Sequence, residues 1–289
     1  IGKKYVAEIR SRFDFPILFT ATHTHSGPWS TTALASEREE GIHDDPGYTA
    51  FLVEKLTEGI RLAEKEMFSA VFGTYVGRCG AECGVGGNRR VKGGLCDPSL
   101  NILAVKDESG DFRAILLNYA LHPTYLHAES EVVSADYPGY FRRFMHFAQP
   151  KAITMFAQGT SGNQSSRYHR VAQDFEEACR VGTTLGYAVN ACLEKMTFTD
   201  KLSLTVKSQE IELPIREYPP LDEAERAMEA ARARFASMKG SDYISMRNAE
   251  LDMFGAENIY YYAKQTAEGI TGDEELPCEL QTVLLNDTL

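Results

Sequence analysis

The chain has 289 residues, 43% apolar and 25% charged, with 41 acidic against 30 basic side chains and a formal charge of −11. That balance fits a globular chain with one large core or two modest ones, and its negative field repels nucleic-acid phosphate and anionic membrane instead of neutralising them. No run is long and apolar enough to act as a transmembrane segment, and the six cysteines are too scattered for a disulfide scaffold or a common zinc knuckle, which leaves reduced structural thiols.

In chain order, "KKYVAEIRSRF" has the spacing of a short amphipathic helix, and "PILFTAT" the aromatic and β-branched content of a strand. "HDDPGYTAFLVEKLTEGIRLAEKEM" combines an Asp-Asp cap, Pro46 near the first turn and helical periodicity. "SAVFGTYVGR" is a strand, and "LNILAVKDESGDFRAILLNYALH" two strands joined by a Glu-Ser-Gly-Asp turn. A helix over "DYPGYFRRFMHFA", a buried strand "KAITMFAQ" and a long helix over "QDFEEACRVGTTLGYAVNACLEKM" follow, then the alternating strand "KLSLTVKSQEIELPI". From Leu221 to about Glu268 the chain reads as a helical hairpin broken near Gly240, and "ELQTVLLNDTL" begins a further strand. The expected fold is α/β: a layered mixed β-sheet core flanked by helices, in one domain over residues 1–289, with the 221–268 hairpin as an excursion. A start at Ile1 without Met, and an end inside an alternating run, are the pattern of a piece cut from a longer chain, so no compartment, cytoplasmic or secreted, is read from it.

The chemistry-bearing residues cluster just past strand ends, where α/β sheets gather their sites. His23 and His25 follow "PILFTAT", His122 follows "AILLNYAL", and "GTSGNQSSR" follows "ITMFA". On an extended backbone, residues i and i+2 share a face about 6.5 Å apart. Two imidazoles so placed can ligate one metal, divide ligation and proton transfer between them, or simply cap a turn. The Gly/Ser loop lacks both the phosphate-loop pattern and the strained Gly-x-Ser-x-Gly elbow. Asp136 is placed to N-cap the helix that follows it, or to orient a ligating histidine. His43, His127, His146 and His169 read as surface residues.

Taken together, "ATHTHSGP", "GGNRR", "CDPSLNILAV", "LLNYALHPTYL", "VSADYPGYFRR" and "MFAQGTSGNQSS" resemble, in order and spacing, the neutral/alkaline non-lysosomal ceramidase family. The resemblance implies a zinc-dependent amidohydrolase acting on a linear amide, the bond of ceramide or a related N-acyl lipid. It implies His23 and His122 as zinc ligands, with further Glu and Tyr ligands beyond Leu289. It implies His25 as a proton-transfer group, Arg89 at the reacting carbonyl and Ser165 as a catalytic or substrate-binding hydroxyl. Asn163 stands where the family has Asp, and the family's Pro after the serine is replaced by Ser166. Asn163 and Trp29 are the expected substrate-binding positions. The partner is a small-molecule or lipid substrate, not nucleic acid; a smaller amide or ester, or a silent binding protein on the same fold, are the rival readings.

Overall fold

A computed structural model describes residues 2–28, 45–126, 130–270 and 275–286. Their contacts divide the chain into two compact units. One comprises Phe13–Pro28, Glu54–Leu204 and Leu284–Leu289; the other comprises Ile1–Arg12, Trp29–Val53 and Thr205–Val283.

The first unit is built on a four-stranded mixed sheet in the order β1-β3-β4-β5, from Ala70–Arg78, Ser99–Asp107, Phe112–Tyr119 and Ile153–Gln158. β1 and β4 both run antiparallel to β3, while β5 lies parallel to β4. The β3–β4 turn is set by Asp107, whose Oδ1 accepts the amides of Ser109 and Asp111, and by Gly110 at φ 85°. A second, two-stranded ladder pairs β2 (Gly87–Asn88) with β6 (Gln164–Ser165).

Period-2 alternation buries Leu100, Ile102 and Ala104 of β3 beside Ile115, Leu117 and Tyr119 of β4. Helices α3 (Asp136–Ala148) and α4 (Phe175–Leu193) cover that face with Tyr137, Phe141 and Met145 and with Val181, Leu185 and Val189. Each fully buried aliphatic or aromatic side chain contributes about 1.5–3 kcal/mol. The two helices touch at a glycine: a Cβ on Gly182 would lie 2.6 Å from the Tyr137 carbonyl and 2.7 Å from the Phe141 amide nitrogen. Asp174 caps α4 by accepting the Glu177 amide at 2.8 Å.

The other unit pairs β7 (Leu204–Pro214) with β8 (Glu275–Leu285). Helix α1 (Lys3–Arg10) lies against that pair through Arg10, which bonds Glu279 at 2.6 Å and Gln281 at 3.2 Å. The expected helical hairpin is α5 (Leu221–Ser237) and α6 (Tyr243–Ala267), turning near Gly240 at φ 89° and closed over Ala224, Met228, Ala249 and Ala263. The remaining helix, α2 (Pro46–Lys65), starts at its proline as the sequence leads one to expect.

One expected strand does not form. "PILFTAT" has no strand pairing; its end lies next to β5, where the Gln158 amide donates to the Ala21 carbonyl at 3.2 Å. Pro16 brings no donor, and Ile17 and Phe19 are half-buried while Leu18 is 57% exposed, so the stretch has the two-faced burial of a strand without joining either the four-stranded sheet or the two short ladders.

Candidate metal centre

All three candidate histidines lie in the first unit. The His-Thr-His segment is a turn and not the end of a strand: His23 takes φ 60°, a left-handed conformation that bulky residues rarely adopt. That turn, and not the pleat spacing expected from sequence, brings the His23 and His25 rings to 4.9 Å between centroids. The segment is clamped to residue 134. Thr24 Oγ1 donates to the Ser134 carbonyl at 2.7 Å, and the Ser134 amide donates to the Ser26 carbonyl at 2.7 Å.

His122 sits three residues beyond β4, and its amide donates to the Gln164 carbonyl at 3.3 Å. Its Nδ1 lies 2.8 Å from the Ser161 carbonyl and 3.2 Å from that of Gln164. A carbonyl only accepts, so Nδ1 carries the proton and Nε2 presents its lone pair, the way an outer partner fixes a ligating imidazole. The preceding carbonyl, Leu121, accepts from the buried Tyr137 hydroxyl at 2.7 Å and from Gln158 at 3.1 Å.

The three Nε2 or Nδ1 ligand atoms of His23, His25 and His122 all lie within 4.8 Å of one another. His23 Nε2 is 3.1 Å from His122 Nε2 and 3.4 Å from His25 Nε2. Tetrahedral zinc with nitrogens at about 2.0–2.1 Å separates its ligands by about 3.4 Å, so the cluster has the dimensions of such a site. His122 is buried while His23 and His25 are exposed, which leaves one side open to a water or substrate. Burial, then the Arg89 guanidinium and His23, push the His122 pKa down to about 4; burial and then Arg89 lower that of His23. Both shifts favour the neutral imidazole, the form that ligates.

Arg89 reaches the cluster through the small ladder. β2 and β6 pair Gly87 with Ser165 and Asn88 with Gln164, the Arg89 amide donates to the Asn163 carbonyl at 2.8 Å, and Arg167 Nη1 donates to the Arg89 carbonyl at 2.8 Å. Asn88 Oδ1 accepts the amides of Arg90 and Val91, each at 2.9 Å, which bends the chain after the ladder. Ser165 is buried beside this ladder and its Oγ accepts the Arg167 amide at 3.2 Å. Among the described residues that hydroxyl has no imidazole or carboxylate partner. Asn163 is exposed and donates to the Leu95 carbonyl at 3.0 Å. Trp29, His43 and His127 lie outside the described residues. His169 is half-buried against Gly87 and not a surface residue, its Nε2 3.0 Å from where a Gly87 Cβ would sit.

Asp136 differs from both roles expected of it. It is fully buried at φ 53°, and α3 begins on it, with Ala135 at the cap position. Its Oδ2 accepts the amides of Tyr125 at 2.9 Å and Leu126 at 3.0 Å, and its Oδ1 that of Tyr137 at 2.6 Å. Among the described residues it contacts no imidazole; it ties down the loop that follows His122. The partners Ser161, Gln164 and Tyr137 were not legible as such, since each acts through a pairing that no local pattern encodes.

No protein-family model matches the sequence, and no curated protein matches it. Solved structures do. A structure titled as a ceramidase complexed with C2 aligns with a TM-score of 0.59 at 17% identity, over 74% of this chain and 37% of that one. The neutral ceramidase from Pseudomonas aeruginosa aligns with a TM-score of 0.57 at 16% identity, over 77% of this chain and 39% of that one. The chain thus spans less than two fifths of the length of either, and at this distance what it shares with neutral ceramidase is the fold.

Proposed function

We propose that this chain carries the metal site of a zinc-dependent hydrolase that cleaves the amide bond of an N-acyl substrate, ceramide or a related compound. The observation that carries the reading is the convergence of His23 and His122, 99 residues apart in sequence, whose Nε2 atoms lie 3.1 Å apart, close to the spacing of two ligands on one tetrahedral ion, with His25 beside them. His23 and His122 are assigned as ligands. When bound, zinc supplies Lewis-acid activation of a water molecule and of the acyl carbonyl.

The chain's own groups supply the rest. The Arg89 guanidinium meets the negative charge that develops on the acyl oxygen, where pre-placed positive charge is most effective. His25, exposed and 3.4 Å from His23, carries a proton to the leaving nitrogen. Ser165 is a substrate-binding hydroxyl: its one described partner is a backbone amide, and a nucleophilic serine needs a base in reach. The exposed Asn163 amide serves as a second polar contact for substrate. Water adds to the acyl carbon, the carbon–nitrogen bond breaks, and the products are a carboxylate and a free amine.

The test is hydrolysis of labelled ceramide and of short N-acyl amines by the zinc-supplemented protein, with and without chelator. Release of the amine that falls to background in His23→Ala supports the proposal; hydrolysis that is unchanged in His23→Ala ends it.

A further inference from the structure

The outer side of α3 carries a basic cluster that the metal centre does not use. Gly139, Arg142, Arg143 and His146 stand at i, i+3, i+4 and i+7, one face of the helix, while Tyr137, Phe141 and Met145 occupy its buried face. That polar face and residues 152–154 border an open hollow of about 450 Å³. Exposed Arg142, Arg143 and His146 form its rim, and buried Ala152 and Thr154 its base. No carboxylate lines it. Arg142 Nε donates to the Thr154 carbonyl at 3.0 Å, which fixes the guanidinium and leaves both Nη groups without a partner among the described residues. The Arg143 and His146 side chains have no partner among the described residues either. Thr154 is 6% exposed, and its buried hydroxyl is unpaired, whereas buried polar atoms are nearly always hydrogen-bonded. Lys151, next in sequence to the base, is paired with Asp111 at 2.5 Å and takes no part. The hollow lies at the start of β5. The loop whose Ser161 carbonyl holds His122 leaves the other end of that strand at Gln158, five residues and about 16 Å further on.

We propose that this hollow binds the phosphate group of a small phosphate monoester. Guanidinium groups take phosphate in bidentate fashion, and two of them here share one rim with an imidazole. A phosphate monoester offers three terminal oxygens and about 1.5–2 negative charges at pH 7. A carboxylate offers two oxygens and one charge, a poorer match to three basic side chains. The volume falls within the range of about 300–1,000 Å³ typical of small-molecule sites, so an organic group fits beside the phosphate. This binding is separate from the proposed hydrolysis and needs no metal.

Calorimetry on the metal-free full chain tests it with glycerol phosphate, inorganic phosphate and, as the uncharged control, glycerol. Saturable binding of glycerol phosphate at one site per chain is expected, none of glycerol, and an affinity that falls as salt rises. Arg143→Gln and His146→Gln, made separately at exposed positions, are each expected to weaken binding at least about threefold, and the pair at least about tenfold, in proteins whose melting curves are unchanged. His23→Ala is expected to leave it intact. Vesicles of phosphatidylcholine with and without phosphatidic acid separate two sources of the same group. Competition by phosphatidic acid identifies a lipid headgroup, its absence identifies a soluble ester, and both results uphold the site. Absence of saturable binding by glycerol phosphate overturns the proposal, even where inorganic phosphate binds. Binding that the paired variant leaves unchanged also overturns it, and loss of that binding in His23→Ala would place the anion at the histidines instead.

Discussion

A non-glycine residue held in the left-handed region costs about 1–3 kcal/mol. His23 at 60° and Asp136 at 53° are two such residues, and one carries a candidate ligand while the other secures the loop behind His122. The strain at Asp136 is offset by three amide donors to one buried carboxylate. Asp136→Asn keeps the shape but sets an NH2 group against those amides. It is expected to lower unfolding stability by about 1–3 kcal/mol in a urea titration; a midpoint equal to that of the unmutated protein would mean the carboxylate is not a structural anchor. The histidines themselves were visible in the sequence because two of them are one residue apart and the third precedes a proline. The outer partners of His122 were not, since backbone carbonyls leave no mark in side-chain identity.

The contact between α3 and α4 depends on Gly182, where a methyl group would meet backbone atoms and not flexible side chains. Gly182→Ala is therefore expected to cost about 1–3 kcal/mol. Gly59 in α2 has nothing within 4 Å of an added Cβ, and Gly59→Ala is expected to add up to about 1 kcal/mol by helix propensity alone. Thermal melts of the pair check both signs, and a neutral Gly182→Ala would refute the close approach. α4 also carries Glu177, which accepts from Arg180 Nε at 2.8 Å and Nη2 at 2.7 Å and from the Val171 amide at 3.2 Å. Those bonds, Arg180 first, hold its carboxyl below the ordinary value of 4.5. Its contribution is thus present above about pH 4.5 and is lost as pH falls through the depressed folded value. Glu177→Gln should lower the melting temperature at pH 7 and flatten its fall in acid; parallel curves for the two proteins would show that the ion pair is inert.

Elements with many periods were legible. The α3 and α4 helices, the β3–β4 hairpin and the α5–α6 hairpin each repeat their apolar spacing several times. The β2–β6 ladder has two residues per strand, too few to show any period, although it is what brings Arg89 and Ser165 together. "PILFTAT" failed for another reason: its composition and its alternating burial are those of a strand, but ladder membership depends on a neighbouring strand that local sequence does not encode.

At the scale of the whole molecule, the mixed sheet carries helices on one face, and loops that leave its strands bring His23 and His122 together; its fold is like that of the neutral ceramidase structure. All of the chemistry proposed here requires an ion between His23 and His122. Calorimetric titration of the metal-free chain with zinc near pH 7 tests that directly. One ion per chain is expected, with affinity reduced at least about tenfold in His122→Ala and unchanged in Cys79→Ser. The absence of saturable binding, or binding indifferent to His122→Ala, would contradict it.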